Sequence, residues 1–419
     1  MRSKIVKMSR LCKILLAFSL VFAGNLSARE MTWQDIVNDA KTINPTIRKA
    51  GESLKKAELN YKISRANFLP QVSATAGASR SGSDSISSAD SYTCGVSGNL
   101  SLFSGFSDIN GLKIKDLDIK IEKEKYRRTI SDLLYDLKTS YINLLWSQVM
   151  VDLSKEIYDR RVKNYELIHQ RYVAGREDKG SLLRVEADMV QAEYDHIQSK
   201  RSLEEVSLQL SLEIGENGSE LINAKGDFHV SYSSADPSFD ILLNKIPDYT
   251  VSALNIERSK FDIKVAKSNF YPDITLSGNA LKSGNDYPPD YGSWSTAINM
   301  SFPVFSGGKN IYNLNISQTN MNLTEKTHLE TVIKYKTTLK TAWNSLLKAI
   351  ESVRVKDKFM AASEEQSMIT TKKYLNGLAT YFDWYNVEND FINSKRALLN
   401  AKRDALLAEA RWENILGGE

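Results

Sequence analysis

Hydrophobic and polar positions follow two different periods along this chain. In four short stretches the period is two. Val72, Ala74, Ala76 and Ala78 alternate with Ser73, Thr75, Gly77 and Ser79, and Ile274, Leu276 and Ala280 with Thr275, Ser277 and Asn279. Val96, Leu100 and Leu102 alternate with Ser97, Asn99 and Ser101, and Ile298, Met300, Phe302 and Val304 with Ala297, Asn299 and Ser301. A period of two puts apolar side chains on one face of a strand and small polar ones on the other. The pattern predicts two β-hairpins, over 70–103 and 272–305.

Elsewhere the period is helical. Ile130, Leu134, Leu137, Tyr141, Leu144, Gln148 and Val151 step by four and three, as do Leu339, Trp343, Leu346, Ile350 and Val353, which marks a coiled-coil seam. Residues 71–236 and 304–419 contain no proline, so nothing there forces a helix to break. The stretches from Gly105 to Tyr172 and from Gly307 to Tyr374 read as single helices, each ~100 Å long at ~1.5 Å per residue. Beyond tip turns near 173–180 and 375–380 the chain returns as shorter helices, near 181–214 and 383–415. Helices over 32–67 and 239–269 precede the hairpins and are expected to stack end to end with the returning ones.

The same module occurs twice, at a constant offset of 202 residues. Pro45 matches Pro247; Asn67, Phe68 and Pro70 match Asn269, Phe270 and Pro272; Phe103-Ser104-Gly105 matches Phe305-Ser306-Gly307. Tyr172 and Gly175 match Tyr374 and Gly377, and Val185, Glu186, Asp188 and Gly215 match Val387, Glu388, Asp390 and Gly417. A gapless register over this length is a tandem duplication. It divides the chain into a first repeat over 29–217, a connector over 218–246 and a second repeat over 247–419.

Charge distinguishes the hairpins from ordinary sheet. One residue in four is charged, yet 70–79, 91–106, 274–281 and 291–308 hold no charge. Aromatic residues gather at the strand ends (Phe68, Tyr92, Phe103, Phe106, Phe270, Tyr271, Tyr287, Tyr291, Trp294, Phe305), as the girdles of a membrane barrel do. A soluble sheet with its apolar face on a core accounts for the alternation but not for the missing charge. Strands of about ten residues suit a tilted crossing of a bilayer. Four membrane strands leave open edges whose backbone groups hydrocarbon cannot satisfy, so the barrel must close between chains, with eight strands from two copies or twelve from three.

The first 28 residues change the picture of charge and location. They carry five basic residues, no acid and an uncharged run from Ile14 to Ala23, which reads as a secretory leader. Cleavage is expected after Ala28, with Ala23 as the other candidate. Cys12 precedes the apolar run, so no lipid anchor is read there. Without the leader 50 basic residues face 51 acidic ones, which offers no electrostatic reason for nucleic acid as a partner. Cys94 is then the single cysteine, which excludes an intrachain disulfide.

Catalytic signatures are absent. His169, His196, His229 and His328 make no ligand spacing, and there is no phosphate loop, dinucleotide fingerprint or nucleophile elbow. Acid pairs such as Glu204-Glu205 and Glu364-Glu365 read as solvated helix faces. The sequence predicts no enzyme, no cofactor and no metal. An exported coiled-coil structural or adhesin-like surface protein, or a periplasmic enzyme on a helical scaffold, remain the other classes.

The duplicated Asn-Phe-x-Pro (67–70 and 269–272), the Phe-Ser-Gly after each hairpin and the tip segments Arg171-Tyr172-Val173-Ala174-Gly175 and Lys373-Tyr374-Leu375-Asn376-Gly377 together resemble the TolC family of outer-membrane efflux proteins, over the whole mature chain. The resemblance implies a mainly α protein with membrane β: long antiparallel coiled-coil helices forming a periplasmic α-barrel, and two hairpins contributing to a trimeric 12-stranded outer-membrane barrel. It implies a passive exit duct for a tripartite efflux pump or type I secretion system, in contact with outer-membrane lipid. Its partners would be a periplasmic adaptor and an inner-membrane pump or ABC transporter. Adaptor docking would fall on Gly175 and Gly377 with Val173, Ala174, Leu375 and Asn376. The entrance constriction would fall on Asp383, Tyr374 and Asn386. This chain departs from the family pattern: the second acidic ring falls on Asn386, the arginine after the second tip glycine on Ala379, and the aspartate partner of the first repeat on Ser181. Any closing contact must use other groups, among Arg171, Arg176, Glu177 and Asp178.

Overall fold

A computed structural model describes residues 29–418 apart from 84–85, 217–220 and 229–236. The leader and the expected cleavage after Ala28 lie outside the described residues. The chain opens on strand β1 (Arg29–Met31), then helices α1 (Trp33–Ile43) and α2 (Pro45–Ala66). Thr32 and Asp35 cap α1 reciprocally, hydroxyl to Asp35 N–H and carboxylate to Thr32 N–H, which satisfies two open amides. Pro45 then opens α2, where its missing N–H is no loss.

The first hairpin is β2 (Gln71–Ser83) and β3 (Ile86–Ser104), followed by α3 (Ser107–Val173), the returning α4 (Lys179–Ile214) and the short strand β4 (Ile222–Ala224). The second repeat follows as α5 (Phe239–Leu243), α6 (Pro247–Ser268), β5 (Asp273–Gly284), β6 (Tyr291–Ser301), α7 (Lys309–Leu375) and α8 (Tyr381–Ile415). Both α3 and α7 run 67 residues, and the returning helices 36 and 35. The seam is buried at its middle, with Leu137, Tyr141, Leu144, Leu339, Trp343 and Leu346 all under 9% exposed.

Two compact units divide the described chain, and each repeat contributes to both. The first takes residues up to Pro45, Leu134–Ser233 and Asn344–Arg411. Its core includes Ile168, Val185, Tyr374 and Trp384, with a second cluster of Ile157, Ala192 and Ile392. Within it β1 pairs in parallel with β4, Met31 opposite Ala224. The Ser207 hydroxyl bridges both backbone groups of Ile222. The sequence pattern predicted no strand at either place.

The second unit takes Thr46–Leu133, Ser234–Trp343 and the C-terminal residues from Trp412. Its core includes Leu243, Ile246, Tyr335, Leu339 and Ile415. It also holds a four-stranded antiparallel sheet in the order β2-β3-β5-β6.

Gly215 and Gly417 end the returning helices at φ +104° and +69°. At each the glycine N–H and the next amide turn back to the last carbonyls, Leu212 and Ser211 in one case, Asn414 and Glu413 in the other. A Cβ on Gly215 would sit 3.0 Å from Asn44, and one on Gly417 2.9 Å from Pro247. Gly215 thus packs against Asn44 and Pro45, and Gly417 against Pro247.

Candidate functional site

The sheet separates its two faces row by row. Ala74, Val96, Ala280 and Trp294 stand opposite one another on one face, as do Leu100, Leu276 and Ile298. On the other face the row is Ser73, Ser97, Asn279 and Ser295. Side chains there bond across strands: Ser73 to Ser97 at 2.9 Å, and Ser295 to Asn279 at 3.0 Å. Along the polar face of the described strands the one charge is Asp273. On the apolar face, charges appear only toward the hairpin turns, as the Arg80–Asp90 ion pair at 2.9 Å and as Lys282. A register shift between Ser101 and Phe103 brings Phe103 opposite Ile274, so Leu102 and Phe103 together oppose that one residue of β5.

Val72, Ile298, Met300 and Trp294 are exposed on the apolar face. Neither outer edge of the sheet, β2 or β6, has a partner among the described residues. Apolar area and open edges of this kind are unstable in water. No helix among the described residues is long and apolar enough to cross a membrane.

The tip turns lie in the first unit. Gly175 (φ +69°) and Gly377 (φ +73°) end α3 and α7, donating to the carbonyls of Tyr172 and Tyr374, while the next amides reach Arg171 and Lys373. Nothing lies within 4 Å of a Cβ built on either glycine, so the positive φ and not crowding selects glycine. Val173, Ala174, Leu375 and Asn376 are exposed around the turns.

Asp178 caps α4 through the Ser181 amide and hydroxyl at 3.0 and 2.9 Å. Asp383 occupies the corresponding box at the start of α8. It accepts from the Thr380 hydroxyl at 2.6 Å and amide at 3.1 Å, and these bonds hold its carboxyl below the usual range. Asp383 and Asn386 are exposed. Tyr374 is placed differently, at 1% exposure. Its ring stacks on Trp384 at 5.2 Å, the Arg171 guanidinium lies 4.4 Å over it, and its hydroxyl donates to Glu177 at 2.5 Å. Burial, then the bond to Glu177, pushes the phenol above its ordinary value. Of the groups considered for a closing contact, the structure joins Arg171 and Glu177 to Tyr374 and uses Asp178 as a cap.

One constellation escaped the sequence reading. Glu388, 1% exposed, accepts from two Arg160 nitrogens, Nε and Nη2, at 2.7 and 2.8 Å and from the Ser367 hydroxyl at 2.5 Å. Burial alone would raise this carboxyl, but the bonds from Arg160 and Ser367 outweigh it and hold it low. Arg160 and Glu388 lie 228 residues apart, so no local spacing announces them. A signal existed in the failed symmetry: position 362, the counterpart of Arg160, is alanine. Among the described residues no group of His, Cys, Asp and Glu could hold a metal ion.

The family described as "Outer membrane efflux protein" matches residues 36–216 and 240–418. The chain belongs to the outer membrane efflux protein family. The two matched segments follow the duplication. The toluene efflux pump outer membrane protein TtgC of Pseudomonas putida is 21% identical over 96% of this chain and 88% of its own length. The cation efflux system protein CusC of Escherichia coli is 18% identical over 91% of this chain and 86% of its own length. A crystal structure of CusC superposes with a TM-score of 0.84 at 17% identity over 92% of both chains. The outer membrane protein VceC of Vibrio cholerae gives 0.80 at 18% over 92% of this chain and 96% of that one.

The protein is therefore an outer-membrane efflux channel of tripartite efflux systems, and not an enzyme. Its sheet belongs to an outer-membrane β-barrel, and faces so divided suit lipid on the apolar side and a lumen on the hydroxyl-lined side.

Proposed function

We propose that three copies of this chain form the duct, β2 of each pairing with β6 of the next into twelve strands. The observation that carries this is the four-stranded sheet with two unpaired edges, which hydrocarbon tolerates only when closed. Eight strands from two copies would leave an interior just filled by side chains, whereas twelve leave a lumen. Small polar residues on the inner face suit the larger number.

In this reading the exposed turns at Val173, Ala174 and Gly175, and at Leu375, Asn376 and Gly377, are the docking points of a periplasmic adaptor. Asp383 and Asn386 line the entrance. Tyr374, held by Glu177, Arg171 and Trp384, acts behind them as the latch that fixes one tip turn against the other. Conduction is passive, and an inner-membrane pump or ABC transporter supplies the energy, in an efflux pump or type I secretion system. Relatives are named for toluene and for cations. The polar face of the described strands carries one charge per chain, at Asp273, so sorting by charge falls to Asp383 at the entrance and to the pump partners. Conductance of the purified protein in a planar bilayer tests the duct: stepwise openings support it, and a protein that inserts without conducting contradicts it.

A further inference from the structure

The helix-to-strand junction of the first repeat contains a cavity of 600 Å³ that conduction does not require. It lies between the end of α2 and the start of α3 and is lined by Lys62, Arg65, Phe68, Leu69, Ile109 and Leu112. Phe68, Leu69 and Ile109 are exposed large apolar side chains. Lys62 and Arg65 are exposed too, and neither forms an ion pair among the described residues. From 59 to 70 the chain has these two cations and no carboxylate. Arg65 lies six residues before the first residue of β2, within ~10 Å of the strand foot. That is the depth of the headgroup layer, about 5–8 Å thick on each side of the hydrocarbon.

The chemistry is duplicated with the module. Lys62, Arg65, Phe68, Leu69, Ile109 and Leu112 recur at the 202-residue offset as Lys264, Lys267, Phe270, Tyr271, Ile311 and Leu314. Each position keeps its class, cation for cation and apolar or aromatic for apolar. A neighbouring copy does not neutralise the pair. In the closed barrel proposed above, β6 of the neighbour brings the first turns of its α7 to this junction, and Lys309 to Thr324 contains no Asp or Glu.

We propose that this junction binds an anionic phospholipid of the periplasmic leaflet, with the phosphate between Lys62 and Arg65 and the acyl chains against Phe68, Leu69 and Ile109. The assignment rests on the barrel reading, since only a membrane at the strand foot brings lipid to the cavity. Two unpaired cations beside apolar walls match a phosphate joined to hydrocarbon, whereas inorganic phosphate leaves the apolar walls uncovered.

The test uses the full mature channel, reconstituted into vesicles of phosphatidylglycerol and phosphatidylcholine, released in mild detergent and counted for bound lipid by native mass spectrometry. The wild type should retain phosphatidylglycerol over phosphatidylcholine by about tenfold. Lys62→Gln/Arg65→Gln should lose half of that retention or more, and adding Lys264→Gln/Lys267→Gln should abolish the preference. Lys200→Gln/Arg201→Gln, on α4, should leave it unchanged. Equal retention by wild type and the first double variant overturns the proposal, as does displacement of the lipid by inorganic phosphate. Bilayer conductance of the same preparations keeps the two readings apart: lost lipid preference with normal conductance concerns this site alone, and absent conductance in the wild type concerns the duct.

Discussion

The hydroxyl of Tyr374 donates to Glu177 at 2.5 Å across 197 residues of sequence, so the end of the second repeat's long helix is tied to the turn of the first. Tyr374→Phe removes this bond and leaves Glu177 with Arg171 at 3.8 Å. A hydrogen bond to a charged group is worth about 1.5–3 kcal/mol. The variant should show larger conductance and faster proteolysis at the tip turns, and unchanged values of both would count against the latch.

Alkaline pH should act on the same bond. The phenol is raised above its ordinary value of 10.0, first by burial and then by Glu177. The stability it contributes is present below that value and declines as pH rises above it. Wild-type conductance should therefore climb above about pH 10, while Tyr374→Phe should lack that rise.

The Glu388 network predicts the opposite pH dependence. Its carboxyl is held below its ordinary value of 4.5, so its contribution is present above that pH and lost as pH falls below it. Arg160→Ala leaves a buried carboxylate without its cation, which costs about 3–5 kcal/mol for a fully buried pair. Arg160 is 33% exposed, which places the loss at the low end. Thermal unfolding followed by circular dichroism should show it near neutral pH, and Glu388→Gln should flatten the acid limb of the stability profile.

Asp383 has two roles that one pair of variants separates. It completes a capping box with Thr380 and stands exposed at the start of α8. Asp383→Asn keeps an oxygen that accepts from Thr380 but removes the charge those bonds favour, so it should relieve block of the pore by multivalent cations and lower stability only slightly. Thr380→Ala should cost about 1 kcal/mol and leave cation block in place. Unchanged block in Asp383→Asn removes Asp383 from the entrance.

Gly175 and Gly377 hold a backbone conformation that other residues rarely adopt. Alanine at either should cost about 1–2 kcal/mol in local stability. The double variant should reach the outer membrane normally and fail to cross-link to the periplasmic adaptor in intact cells, whereas wild-type cross-linking in the variant would remove the turns from docking.

Sequence made the architecture legible because the duplication supplied every pattern twice. The hairpins, the 67-residue helices and the tip glycines follow from period, proline spacing and repeat offset. Less was legible at the site. Ser181 stands where the family pattern has an aspartate, and the carboxylates beside it took separate tasks, Asp178 capping α4 and Glu177 bonding Tyr374. Arg160 and Glu388 meet only after the helices pack. The three-residue strands β1 and β4 are too short to show alternation, and their pairing joins residues almost 200 positions apart.

The central claim is that three chains close one barrel, and the mass of the detergent-solubilised protein tests it most directly. Light scattering corrected for bound detergent should give a particle of three chains, about 130–140 kDa for a 47.2 kDa chain with or without the expected leader. A monomer that stays monodisperse without detergent would contradict the barrel, and with it the assignment of the apolar face to lipid.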